Sequence, residues 1–149
     1  MRKAIFLLFL MIMPNLALAG GFKTEKEIRS FTDKLMNHFI NKDFQGGLNS
    51  AKQYWPLPEV EIDGLANKIK QQWPIVDQRF GKAIAKEFVK EKRIGRSFLR
   101  YYYLHKFENH SIYWQIDFYK PYEEWQINQI TFRDRLDSLY EQFYVRYSC

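Results

Sequence analysis

The chain has 149 residues, a formal charge of +6 and an aromatic content of 18%. This is enough material for one domain with a single core, while the charge excess falls short of the dense Lys/Arg stripe of a nucleic-acid binder. Cys149 is the only cysteine. An intrachain disulfide is therefore excluded, and the fold must stand on packing.

Arg2 and Lys3 open the chain, Ala4 to Met13 form a short apolar run, and Pro14-Asn15 break it before Ala17-Leu18-Ala19. A positive start, a short apolar core and small residues at a cleavage site are the parts of an export signal. The apolar run is well short of the roughly 20 residues that a membrane anchor needs. The expectation is a signal peptide over 1–19, cleaved to leave Gly20 as the mature N-terminus. No stable membrane insertion follows, and the location is periplasmic or secreted. Losing Arg2 and Lys3 lowers the charge from +6 to +4. Residues 20–149 then form a single domain. In an oxidising compartment Cys149 either joins two chains or ends the chain as an inert thiol.

Thr24 and Glu27 fit a capping box, and Ile28, Phe31, Leu35, Phe39 and Ile40 follow as one helical stripe. His38 sits beside that stripe; no second metal-ligand type stands at useful spacing, so it reads as a partly buried structural histidine. Asp43 can cap a shorter helix through Phe44, Leu48 and Ala51, weakened by Gly46-Gly47. Pro56 and Pro58 stiffen the next connection. A third helix carries Ile62, Leu65, Ile69, Trp73, Val76 and Phe80, with a kink or break expected near Trp73 because of Pro74 and a stop at Gly81.

Residues 83–92 read as a first strand, with a hairpin break at Arg93–Gly95. The basic run from Lys86 to Arg100 is taken as the solvated side of strands. The runs 98–107 and 112–118 alternate sides. A hairpin tip at Asn109-His110 pairs Phe107 with Ile112, His105 with Trp114, Tyr103 with Ile116 and Tyr101 with Phe118. One face is then aromatic and aliphatic. The other holds Arg100, Tyr102, Tyr113, Asp117 and Tyr119. Pro121 marks the next turn, and the apolar spacing slips between Ile127 and Ile130, which predicts a bulge near Asn128-Gln129. Asp134 to Tyr140 suits a short helical turn, and the aromatic tail from Phe143 to Cys149 is expected to lie back on the domain.

The fold class is therefore α+β: three N-terminal helices packed on a curved antiparallel sheet of about four strands. The segments Phe80-Gly81-Lys82, Gly95-Arg96-Ser97-Phe98, Tyr103 to Phe107, Trp114 to Pro121, Trp125 and Phe132-Arg133-Asp134 carry a resemblance. In order and spacing, the chain resembles the small exported bacterial members of the nuclear-transport-factor-2-like, or cystatin-like, superfamily. That resemblance implies a cone-like shape with a pocket between helices and sheet, whose wall would be Tyr101, Tyr103, His105 and Trp114. Enzymes of the superfamily place an Asp base or an Asp-His pair there, whereas here the inward face is apolar and Asp117 falls outside it. No catalytic residue is assigned.

No zinc, haem, nucleotide or flavin motif is present, so no metal and no cofactor is expected. The function that fits is a non-catalytic exported domain binding an apolar small molecule or a protein partner of the cell envelope. The alternatives are a small cofactor-free isomerase, dehydratase or hydrolase using His105 or His38, and a homodimer joined through Arg100, Tyr102, Tyr113 and Tyr119.

Overall fold

The structure, a computed structural model, describes residues 20–140. The expected signal peptide (1–19), the tail from Phe143 and Cys149 lie outside the described residues. Helix α1 (Glu25–Ile40) starts at the capping box, with Glu27 N–H donating to Thr24 Oγ1 and the Glu27 carboxylate accepting from Thr24 N–H. Helix α2 (Phe44–Ala51) is capped by Asp43, whose Oδ1 accepts from Gly46 N–H at 2.9 Å. A 3-10 turn (Lys52–Tyr54) leads to helix α3 (Glu59–Phe80).

Helix α3 does not break at Trp73: it runs through Pro74 to Gly81, whose φ of 82° ends it. A proline inside a helix costs about 3 kcal/mol. Here Ile69, Trp73, Val76 and Phe80 are all buried around it, and their packing keeps the chain helical through the missing hydrogen bond.

Four strands follow, β1 (Ala83–Ile94), β2 (Phe98–Phe107), β3 (Ser111–Tyr119) and β4 (Gln126–Arg133), forming one antiparallel sheet in sequential order. A short helix α4 (Asp137–Tyr140) closes the described chain. The fold is thus α+β, with the helices before a four-stranded sheet and 83–92 a strand.

The hairpin register differs from the sequence expectation. The tip is Glu108-Asn109, closed by Phe107 N–H on His110 O, so Tyr101 faces Ile116, Tyr103 faces Trp114 and His105 faces Ile112. Moving the tip by one residue moves every partner by two, which leaves both faces as expected. The reason is tertiary. Asn109 N–H donates to Phe80 O and Glu108 N–H to Lys82 O, so the end of α3 and the start of β1 claim the tip.

Each bulge bends the sheet. In β4 the extra residue is Asn128, between the pairs Asp117–Gln129 and Phe118–Ile127. In β1, Ile84 and Val89 are extra. The Val89 bulge overturns the reading of Lys86 to Arg100 as one solvated side, because it switches the alternation within the run. Lys86 and Arg93 turn towards α1, where they meet Asp33 and Glu25, while Lys90 and Lys92 join the opposite face.

The core lies between the helices and one sheet face. Ile28, Leu35, Met36 and Phe39 of α1, Phe44 and Leu48 of α2, and the α3 stripe pack on Leu99, Ile116, Phe118, Ile127 and Ile130. Phe22 enters from the N-terminal side, stacking on Tyr54 at 4.0 Å and exchanging both backbone hydrogen bonds with Trp125.

Candidate functional site

The four residues assigned to a pocket wall point towards the helices and are all buried. Trp114 packs against Phe39 at 4.3 Å and Phe132 at 5.0 Å between ring centres. It also borders an open groove of about 270 Å³ with Leu65, Ile69 and Gln72 of α3. Tyr101 meets Phe88 and Phe118 edge-on. Tyr103 sends its hydroxyl to Thr32 Oγ1 at 2.8 Å and to Asp33 Oδ1 at 3.0 Å, anchoring β2 to α1, and burial pushes its phenol up. These side chains serve the core as packed aromatics.

His105 is 0% exposed and stacks on Phe107 at 4.4 Å. Trp114 Nε1–H donates to its Nδ1 at 3.4 Å, which leaves the ring proton on Nε2, an atom with no hydrogen-bond partner among the described residues. Burial lowers its pKa to about 4. His105 is a neutral core histidine at ordinary pH.

His38 differs. Its Nδ1 lies 2.7 Å from Asp43 Oδ2 across the α1–α2 corner, where Lys42 takes φ 60°. The His38 hydrogen bond, then the Gly46 N–H, holds the Asp43 carboxyl below the usual range. The pair stands over two open grooves, one of about 400 Å³ bordered by Ser30, Lys34, Ser50 and Tyr54, the other of about 330 Å³. Sequence reading named Asp43 only as a cap; its spacing of five from His38, across a helix break, was the signal for this second role.

The outward face is built in rows across the strands. From the hairpin end these are Ile94–Phe98–Tyr119, then Lys92–Arg100–Asp117, then Lys90–Tyr102–Gln115. Arg100 clamps Asp117 with two hydrogen bonds, of 2.7 and 2.6 Å, and that partner raises the guanidinium pKa further. Tyr102 lies near both Lys90 and Lys92 ammonium groups, at 5.5 and 5.6 Å. Helix α4 covers the far part of this face: Tyr113 Oη meets Ser138 Oγ at 2.6 Å, and Lys90 Nζ donates to Leu139 O at 2.7 Å.

Two of the four residues expected at an interface are buried within the chain. Tyr102 and Tyr113 are only 4% and 1% exposed. A dimer using all four predicted residues would have to displace α4. Arg100 and Tyr119 stay accessible, and with them Ile94 and Phe98, two apolar residues within the basic run. Ile94 is 73% and Phe98 37% exposed. Phe98 stacks on Tyr119 at 4.7 Å, and a cavity of about 130 Å³ opens beside them, bordered by Lys92, Arg100 and Asp117. The available signal was Gly95, whose φ of 54° makes the tight turn that sets Ile94 opposite Phe98.

Among the described residues, no group of three or more His, Cys, Asp or Glu side chains is placed to hold a metal ion, and no helix is long and apolar enough to cross a membrane. No family model, curated protein or solved structure matches the chain.

Proposed function

We propose that this chain is an exported, non-catalytic interaction domain of the nuclear-transport-factor-2-like kind that binds a protein partner of the cell envelope through the Ile94–Phe98–Tyr119 row. The observation that carries this reading is the division of the outward face: Tyr102 and Tyr113 are buried, with α4 seated on Tyr113 and Lys90, while Ile94 and Phe98 stay exposed. An apolar patch rimmed by charged groups marks an interaction site, and Tyr, Phe and Arg are favoured residues there. The adjoining cavity of about 130 Å³ is below the roughly 300 Å³ of a small-molecule pocket. It suits an inserted side chain, which favours a protein over an apolar small ligand.

Export is supported by the leader pattern. The chain is engaged by the fold from Gly21, whose N–H donates to Glu124, and from Phe22, so cleavage after Ala19 would leave these contacts intact. N-terminal sequencing of the exported protein should begin at Gly20; retention of residues 1–19 would refute cleavage. A photocrosslinking residue at Ile94 should give a discrete adduct in producing cells, whereas the same residue at Val60, exposed on α3, should not. Absence of any adduct specific to Ile94 would remove the reading.

His38 favours a second reading, as a small cofactor-free enzyme. With Nδ1 held by Asp43, its Nε2 is left for proton transfer beside the 400 Å³ groove. Turnover of a panel of chromogenic esters, lost in His38→Gln, would establish this; no turnover by the wild-type chain would dismiss it.

A further inference from the structure

We infer that the partner segment received by the Ile94–Phe98–Tyr119 row is an acidic peptide carrying one bulky apolar anchor, and not a second copy of this chain. This rests on the interaction-domain reading above. The cavity beside Phe98 holds about 130 Å³, room for a single inserted side chain. Its walls are Ile94, Phe98 and Leu99, with the Arg100–Asp117 pair across one side.

The charges around it are unequally satisfied. Arg100 is neutralised by Asp117, and Arg93 by Glu25 and Glu91. Lys92, Arg96 and Lys120 have no salt-bridge partner among the described residues. Lys92 and Arg96 stand around the same row. Lys92 precedes Ile94 by two on the same face, and Arg96 lies in the turn between Ile94 and Phe98. Lys120 is tied to that turn by its N–H on Ser97 O at 2.8 Å, but its ammonium turns away to the Trp125 ring, 5.8 Å from the ring centre, and interacts with Glu25 of α1. An apolar slot beside two cations that have no ion-pair partner among the described residues is complementary to carboxylates flanking an apolar side chain.

A second copy fits poorly. A two-fold contact centred on this row would bring Lys92 and Arg96 against their own symmetry mates, an unfavourable like-charge arrangement. Two cations also fall short of a nucleic-acid site making six to ten phosphate contacts.

The test is panning of a random-peptide display library on the purified full chain. Enriched peptides are then titrated by fluorescence polarisation against wild type, Phe98→Ser and the double variant Lys92→Glu/Arg96→Glu, each first shown folded by circular dichroism. The expected peptides carry Asp or Glu on both sides of one Leu, Ile, Phe or Trp. Their affinity should fall about tenfold or more in both variants and weaken with added salt. Lysine-substituted peptides should regain binding to the Lys92→Glu/Arg96→Glu chain. Peptides that lack acidic residues yet lose binding in Phe98→Ser would overturn the acidic class while leaving the docking surface in place. No enrichment, or enriched peptides indifferent to Phe98→Ser, would overturn both. Binding of anionic phosphatidylglycerol vesicles instead of peptides, or concentration-dependent dimerisation in sedimentation that Phe98→Ser abolishes, would replace the proposed partner.

Discussion

Arg100 and Asp117 stand directly opposite each other on β2 and β3 and are joined by two parallel hydrogen bonds, with the arginine side chain 38% exposed and the aspartate 8%. The two ends of the pair are therefore not equivalent. Removing the arginine leaves a buried carboxylate with only the 3.3 Å hydrogen bond from Gln115 Nε2, whereas removing the aspartate leaves a cation that water can reach. Arg100→Met should cost about 3 kcal/mol of unfolding free energy and Asp117→Leu about 1 kcal/mol, with the double variant milder than Arg100→Met alone. Urea denaturation of the three variants measures this; equal losses in the two single variants would contradict the asymmetry.

His105 makes stability depend on pH. Its pKa falls from 6.5 to about 4 on folding. Above pH 6.5 both states are neutral there. Between 6.5 and 4 the unfolded chain binds the additional proton, so stability declines as pH falls through that window. The slope is at most about 1.4 kcal/mol per pH unit and the total on the order of 3 kcal/mol. Below about pH 4 the native ring also protonates and this contribution stops growing. His105→Gln, which keeps an acceptor for Trp114, should flatten the wild-type curve between pH 6.5 and 4. Parallel curves for the two proteins would show that the ring is not held neutral.

Two helical glycines should respond to alanine with opposite signs. A Cβ at Gly47 would sit 2.8 Å from Phe39 Cε1, where α2 presses on α1, while a Cβ at Gly64 of α3 meets nothing within 4 Å. Gly47→Ala should destabilise by about 1–3 kcal/mol through overpacking. Gly64→Ala should stabilise by about 0.5–1 kcal/mol by restricting the unfolded chain and improving helix propensity. Thermal melts decide both, and a gain at Gly47 would mean that Phe39 has room to yield.

The seating of α4 rests on few contacts, the Tyr113–Ser138 hydroxyl pair and the Lys90–Leu139 bond among them. Tyr113→Phe should leave global stability within about 1 kcal/mol of wild type while speeding amide exchange in residues 137–140. Unchanged exchange there would show that the hydroxyl pair does not hold the helix. Tyr102→Asp, a change suited to splitting a dimer if Tyr102 were exposed, should instead unfold part of the sheet.

Local chemistry made much of this protein legible without coordinates. Thr24 and Glu27 cap a helix through atoms three residues apart, Gly81 can take the positive φ that ends one, and alternation along β2 and β3 sorts Tyr103 from Tyr102. The bulge at Asn128 showed itself as a slip in apolar spacing. Each of these signals acts within a few residues of its cause.

Partners distant in the chain decided the rest. The register of the β2–β3 hairpin followed the carbonyls of Phe80 and Lys82, which no feature of residues 98–119 encodes. Pro74 stayed helical because packing on both sides of it outweighed one lost hydrogen bond. The Val89 bulge turned Lys90 and Lys92 to the outer face, and α4 settled on Tyr113 and Lys90. Alternation assigns residues to a face, but which part of that face stays open depends on what folds over it. Only the tertiary structure therefore distinguished the covered tyrosines from the exposed Ile94–Phe98 row.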